Sequence, residues 1–106
     1  MAVKLANNAY SQIAAALASD ADTLTVTSGH GARFPALGSG DWFFATLLSM
    51  SGAFEIVRVT ARVDDVLTIE RGAEGTIPIS FPVDSRIELR VTTGNIDINN
   101  QNVLLL

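Results

Sequence analysis

Residues 66–76 read VLTIERGAEGT. Laid out as a strand, the first part puts Leu67 and Ile69 on an inward face and Thr68 and Glu70 on an outward one. Arg71 comes next, and then Gly72 and Gly75, two residues that admit positive φ and let the chain turn tightly twice. An arginine in such a turn can reach a carboxylate or the turn's free carbonyls, and Glu74 is the nearest candidate partner for Arg71. A ligand loop, a catalytic loop and a turn that closes a barrel could each use these residues. The stretches on either side favour the barrel turn.

Those flanks carry further strand signals at short spacing, punctuated by glycine and aspartate. TLTVTS, 23–28, alternates strictly, with Leu24 and Val26 on one face and Thr23, Thr25 and Thr27 on the other. GHGARFPALGSGD follows as an irregular connection in which Phe34 and Leu37 plug the core and Pro35 interrupts any ladder. DWFFATLLSM is the most apolar run and reads as a central, buried strand, and SGAF as a hairpin connection. In FEIVRVTARV, Glu55 shares a face with Val57, Val59 and Ala61, so neither face is cleanly inside. Val63-Asp64-Asp65 turns the chain into 66–76. After it, IPISFPVDS is a loop across the barrel mouth, anchored by Ile79, Phe81 or Val83, and RIELRVTT sets Ile87, Leu89 and Val91 against Arg86, Glu88, Arg90 and Thr92. Four or five short strands without an intervening helix indicate an all-β fold, a small antiparallel barrel or sandwich with extended N- and C-terminal segments.

The two ends of the sequence read less simply. NNAYSQIAAALASD fits an alanine-rich helix with Tyr10, Ile13, Ala14 and Leu17 on one stripe, and it also fits a strand with Ser11, Ile13, Ala15 and Leu17 on one face; an all-β context tilts the choice to the strand. The natural division is 1–22 as an N-terminal segment and candidate assembly arm, 23–93 as the β domain, and 94–106 as a docking tail. In that tail Ile96 and Ile98 alternate with asparagine and aspartate, and an asparagine-rich spacer leads to Val103, Leu104, Leu105 and Leu106. Four consecutive apolar residues would either fold back on their own core or dock on a neighbouring subunit, which the polar spacer favours.

The chain has 106 residues, enough for one core, with 48% apolar and 17% charged residues. Its net charge is -4 and its basic residues are scattered singly, so no stripe tracks phosphates and nucleic acid is not an expected partner. Cysteine is absent, and no run approaches the roughly 18 apolar residues of a membrane helix. A catalytic constellation is also missing. His30, the single histidine, lies between two glycines and reads as a loop residue that is either exposed or satisfied by a backbone carbonyl. Asp20 with Asp22 and Asp64 with Asp65 lack the spacing of a calcium loop, and no metal ligand set or cofactor fingerprint is present. Glu70 and Glu74 would need a cleft to act as a hydrolytic pair. Trp42 and Tyr10 could stack on sugar rings, although Trp42 sits in an apolar run where burial is commoner.

Taken in order, TLTV, FPAL-GSGDWFFATL, FEIVRVTAR-VDDVLTIERGAEGT and F-PVDSRIELRVT resemble a module of tailed-bacteriophage virion proteins, in which a strand ending R-G-x-E-G-T precedes an arginine- and glutamate-alternating strand. The resemblance covers residues 23–93, and more with LANNAYSQIAAAL included. It implies a non-enzymatic tail, fibre or virion structural protein that needs no cofactor or metal, is assembled in the host cytoplasm and resides in the virion. Its implied partners are other copies of itself, a trimer being one option, and other virion proteins of the tail, fibre or capsid. The fibre module is typically followed by a shaft or a receptor-binding tip, and the present sequence stops at Leu106, so receptor binding does not follow. Capsid decoration is the alternative within the particle, and a carbohydrate-binding module the more remote one.

Overall fold

The alternation written in the sequence becomes alternation of burial in a single sheet. The computed structural model describes residues 2–6 and 9–90, and the expectations for 91–106, including Val91, Ile96, Ile98 and Val103 to Leu106, lie outside them. Six strands form: β1 (Tyr10–Gln12), β2 (Thr23–Thr25), β3 (Phe43–Leu48), β4 (Phe54–Val63), β5 (Val66–Ala73) and β6 (Arg86–Glu88). They pair antiparallel in the order β1-β6-β3-β4-β5-β2, which places the apolar β3 inside the sheet. One 3-10 turn spans His30–Arg33, and no α-helix occurs among the described residues.

The sheet curls into a half-barrel whose two edges touch. Ile13 and Val26 form an isolated antiparallel bridge. Around it, Ala14 N–H donates to Thr25 O at 2.8 Å and Thr27 N–H to Gln12 O at 3.0 Å. Contact between β1 and β2 leaves little exposed edge for unwanted pairing. Inside lie Leu24, Val26, Phe43, Ala45, Leu47, Val57, Val59, Leu67, Ile69 and Ile87, all buried, with Phe34 stacked 6.0 Å from Phe43. Phe34 and Leu37 plug the core from their connection as expected. Phe81 anchors the mouth loop, Ile79 packs against it, and Val83 instead stays exposed.

The ambiguous first segment is a strand with a break, and its backbone bonds show why. Ile13 N–H donates to Ser85 O, Ala14 N–H to Thr25 O, and Leu17 exchanges both bonds with Phe81, so these groups are satisfied across the barrel rather than along a helix. Helical propensity for alanine amounts to only a few tenths of a kcal/mol per residue and loses to that pairing. Ser11, Ile13 and Leu17 point inward as the strand reading requires, whereas Ala15 is exposed because the ladder is interrupted there. Ala9, Ile13 and Leu17 belong to the common core, and Lys4 N–H and Ala2 O bond to Trp42 at 2.9 Å. The described part of residues 1–22 is therefore built into the β domain and does not stand apart as an arm.

Two other expectations change in detail. The stretch RIELRVTT forms a strand only over Arg86–Glu88 within the described residues, although Leu89 N–H still bonds Ala9 O at 2.8 Å. Gly72 lies within β5 and not in a turn. From Arg58↔Glu70 to Ile56↔Ala73 the ladder advances two residues on β4 and three on β5, so β5 carries a bulge, and Gly72 with φ +63° absorbs it. The tight turn comes after, at Glu74 (φ 51°) and Gly75 (φ 82°), closed by Thr76 N–H to Ala73 O at 3.0 Å.

Candidate functional site

Strand alternation turns Arg71 into the barrel with Leu67 and Ile69, just before the bulge at Gly72, and its partner there is Glu55 of β4 and not Glu74. Glu55 is fully buried, and its side chain shares the inward face with Val57 and Val59. Arg71 grips it two-pronged, Nε to Oε2 and Nη2 to Oε1, both at 2.8 Å. Backbone amides complete the carboxylate's shell: Gly72 N–H donates to Oε2 and Ile79 N–H to Oε1, each at 2.9 Å. The guanidinium is equally saturated. Nη1 donates to Ala18 O at 2.6 Å and Ala21 O at 3.0 Å, and Nη2 donates to Ile79 O at 2.6 Å. Five N–H donors thus meet five acceptors, and four bonds reach the carboxylate.

Four segments meet at this pair: β4, the β5 bulge, the β1–β2 connection and the mouth loop. Burial is the largest influence on the Glu55 carboxyl and opposes its ionisation. The Arg71 hydrogen bonds and the amides of Ile79 and Gly72 together outweigh it and hold the pKa below the ordinary value. A carboxylate held ionised and fully bonded is a structural lock, with no lone pair or proton directed outward.

A second junction ties the β4–β5 hairpin to the 3-10 turn. Asp65 accepts Gly29 N–H at Oδ2 (3.0 Å) and Gly31 N–H at Oδ1 (2.8 Å), and these bonds lower its pKa. Both oxygens of Asp65 are thereby engaged by amides. Among the described residues no group of three or more His, Cys, Asp or Glu is placed to hold a metal ion. His30 Nδ1 lies 2.8 Å from the buried Ser11 Oγ, so its partner is a hydroxyl and not the expected carbonyl.

The aromatic rings are covered by arginines. Arg58 sits 4.8 Å from the centroid of Trp42, whose ring also meets Phe44 edge-on at 5.1 Å. Tyr10 has Arg86 at 4.6 Å and Arg33 at 5.2 Å. What the surface does offer is apolar: Met50, Phe54, Ile77 and Val83 are exposed around the β3–β4 hairpin and the mouth loop.

The sequence-marked turn residues therefore divide. Arg71 and Gly72 belong to the buried lock, whereas Glu74 and Gly75 form the surface turn beyond it. Glu55 was the missed member, and strand parity carried the signal: it falls in step with Val57 and Val59, and Arg71 in step with Leu67 and Ile69. No protein-family model matches the chain, and no curated protein matches it either.

Proposed function

We propose that this chain is a non-enzymatic structural component of a tailed-bacteriophage particle, a small β module that self-associates and attaches to other virion proteins in the tail or fibre-attachment region. The observation that carries this reading is the ordered set of phrases from TLTV to RIELRVT that includes RGAEGT, together with what the RGAEGT residues do. Arg71 and Gly72 lock the half-barrel from within through Glu55. The same motif thus serves rigidity, which suits a part used in many copies.

The remaining polar candidates also serve internal roles. Asp65 holds two backbone amides, and His30 pairs with Ser11. The exposed apolar residues and the segment 94–106 are left as the means of contact with partners. Capsid decoration is the second reading for the same features, since a rigid module with apolar contacts would also suit a shell joint.

Purified particles of the parent phage provide the test. The chain is expected in them at a fixed multiple copy number, and particles made without it are expected to lack a tail or fibre feature in electron images. Loss of head stability alone would shift the assignment to decoration. Particles that never contain the chain would sink both readings.

The carbohydrate alternative has its own measurement. Because Arg58 already lies over Trp42, tryptophan emission is expected to stay unchanged when glycans are added. A saturable shift in emission would revive that alternative.

A further inference from the structure

Of the eight large hydrophobic side chains exposed among the described residues, Met50, Phe54, Ile77 and Val83 belong to segments that the strand register brings to one end of the sheet. Met50 lies in the β3–β4 hairpin and Phe54 opens β4 opposite Leu48. Ile77 follows Thr76, whose Oγ1 accepts Ile56 N–H at 3.0 Å and so fixes it beside the start of β4. Val83 precedes β6, which begins with Arg86 opposite that same Leu48. The mouth loop from β5 to β6 therefore crosses this end and adds its two apolar residues to those of the hairpin.

The last described strand runs toward the opposite end. β6 runs antiparallel to β3, with Arg86 at Leu48 and Glu88 at Thr46, so as far as the described residues reach the chain heads away from the hairpin. β6 is also paired on both flanks, by β1 and β3, and offers no free edge beside the exit. Residues 91–106 would span roughly 50 Å if extended, and the last eight, NNQNVLLL, carry no charge.

We propose that the Met50, Phe54, Ile77 and Val83 end receives Val103 to Leu106 of a second copy of this chain. The inference rests on the self-association in the proposed function and supplies its receiving surface. An apolar segment with no charged side chain, joined to a strand that heads away from the patch, suits the patch of the next copy, with the asparagine-rich stretch as spacer. The contact is heterologous, so it generates a ring or an open stack according to the rotation between copies.

Two full-length variants test it. Met50→Ser/Phe54→Ser/Ile77→Ser removes the patch at positions exposed in the fold, and Leu104→Ser/Leu105→Ser/Leu106→Ser removes the insert. By light scattering, each alone is expected to self-associate at least tenfold more weakly than the parent chain. An equimolar mixture is expected to form a two-copy complex, because one intact segment meets one intact patch. Equal melting temperatures for variants and parent would confirm that the fold is retained.

A mixture that stays monomeric, or a patch variant that associates like the parent, would overturn the proposal. The chain lacks cysteine, so Phe54→Cys and Leu105→Cys give a clean cross-link. The two single variants mixed are expected to form an intermolecular disulfide, and a double variant that closes within one molecule at high dilution would overturn the two-copy contact. A restored complex whose chain is absent from purified particles would refute the virion reading and leave this contact standing. Particle incorporation by the patch variant would do the reverse.

Discussion

Replacing Arg71 by methionine is expected to lower the folding stability at pH 7 by about 3–5 kcal/mol, because it leaves the Glu55 carboxylate buried without its counter-charge. Glu55 has no exposed surface, so water cannot take over the two guanidinium bonds. Three carbonyls, those of Ala18, Ala21 and Ile79, lose their donor at the same time. Against a total stability of about 5–15 kcal/mol for a domain, this loss removes a large share. Urea unfolding followed by Trp42 emission measures it, and a variant within about 1 kcal/mol of the parent would show that the pair is dispensable.

The pH dependence gives the same prediction a sign. In the parent, Glu55 titrates below its ordinary value of 4.5, so its contribution is fully present above that value and disappears as pH falls through the lowered one. In Arg71→Met, burial is opposed only by the amides of Ile79 and Gly72 and is expected to raise the carboxyl pKa above the unfolded value. The neutral acid then tolerates its site, so the variant's deficit should narrow as pH is lowered from 7 toward 5. A deficit that widens over this range would contradict the assignment of Arg71 as the group that keeps Glu55 ionised.

The second large effect is expected at Gly31. A Cβ there would stand 1.9 Å from Asp64 O, 2.7 Å from Asp64 C and 2.9 Å from Asp65 Cα, all backbone atoms of the β4–β5 hairpin. Nothing flexible can yield, so Gly31→Ala must push the 3-10 turn off the hairpin and break the amide bond to Asp65. A cost of about 3 kcal/mol or more is expected. Gly29→Ala is the control: its φ of +84° is unfavourable, but nothing lies within 4 Å of the added carbon. That change should cost only about 1–2 kcal/mol. If thermal melting ranked Gly29→Ala as the more damaging, the close approach at Gly31 would not be what positions this loop.

Several parts of the fold were legible because local chemistry and tertiary structure agree there. The inward sets Leu24 with Val26 and Leu67 with Ile69 follow from strand parity alone, and β4 occupies the stretch FEIVRVTARV end to end. Phe34 stands out with Leu37 as a core plug, whereas Phe81 is one of three candidate anchors of its loop, and the structure singles it out. Arg71 and Gly72 were also visible as special residues, yet their environment was assigned to a surface turn.

The amino-acid sequence by itself determined an all-β chain, the phase of its main strands and the residues that fill its interior, since side-chain alternation every second residue is a local property. Only the tertiary structure decided that residues 10–17 form barrel wall, because that choice depends on hydrogen bonds to Thr25, Phe81 and Ser85 from distant parts of the chain. It alone also decided that Arg71 belongs to Glu55, sixteen positions away. A one-residue bulge at Gly72 presents that residue's N–H to the same carboxylate, and its position depends on how β5 registers against β4. Such register is set jointly by both strands and cannot be read from either one alone.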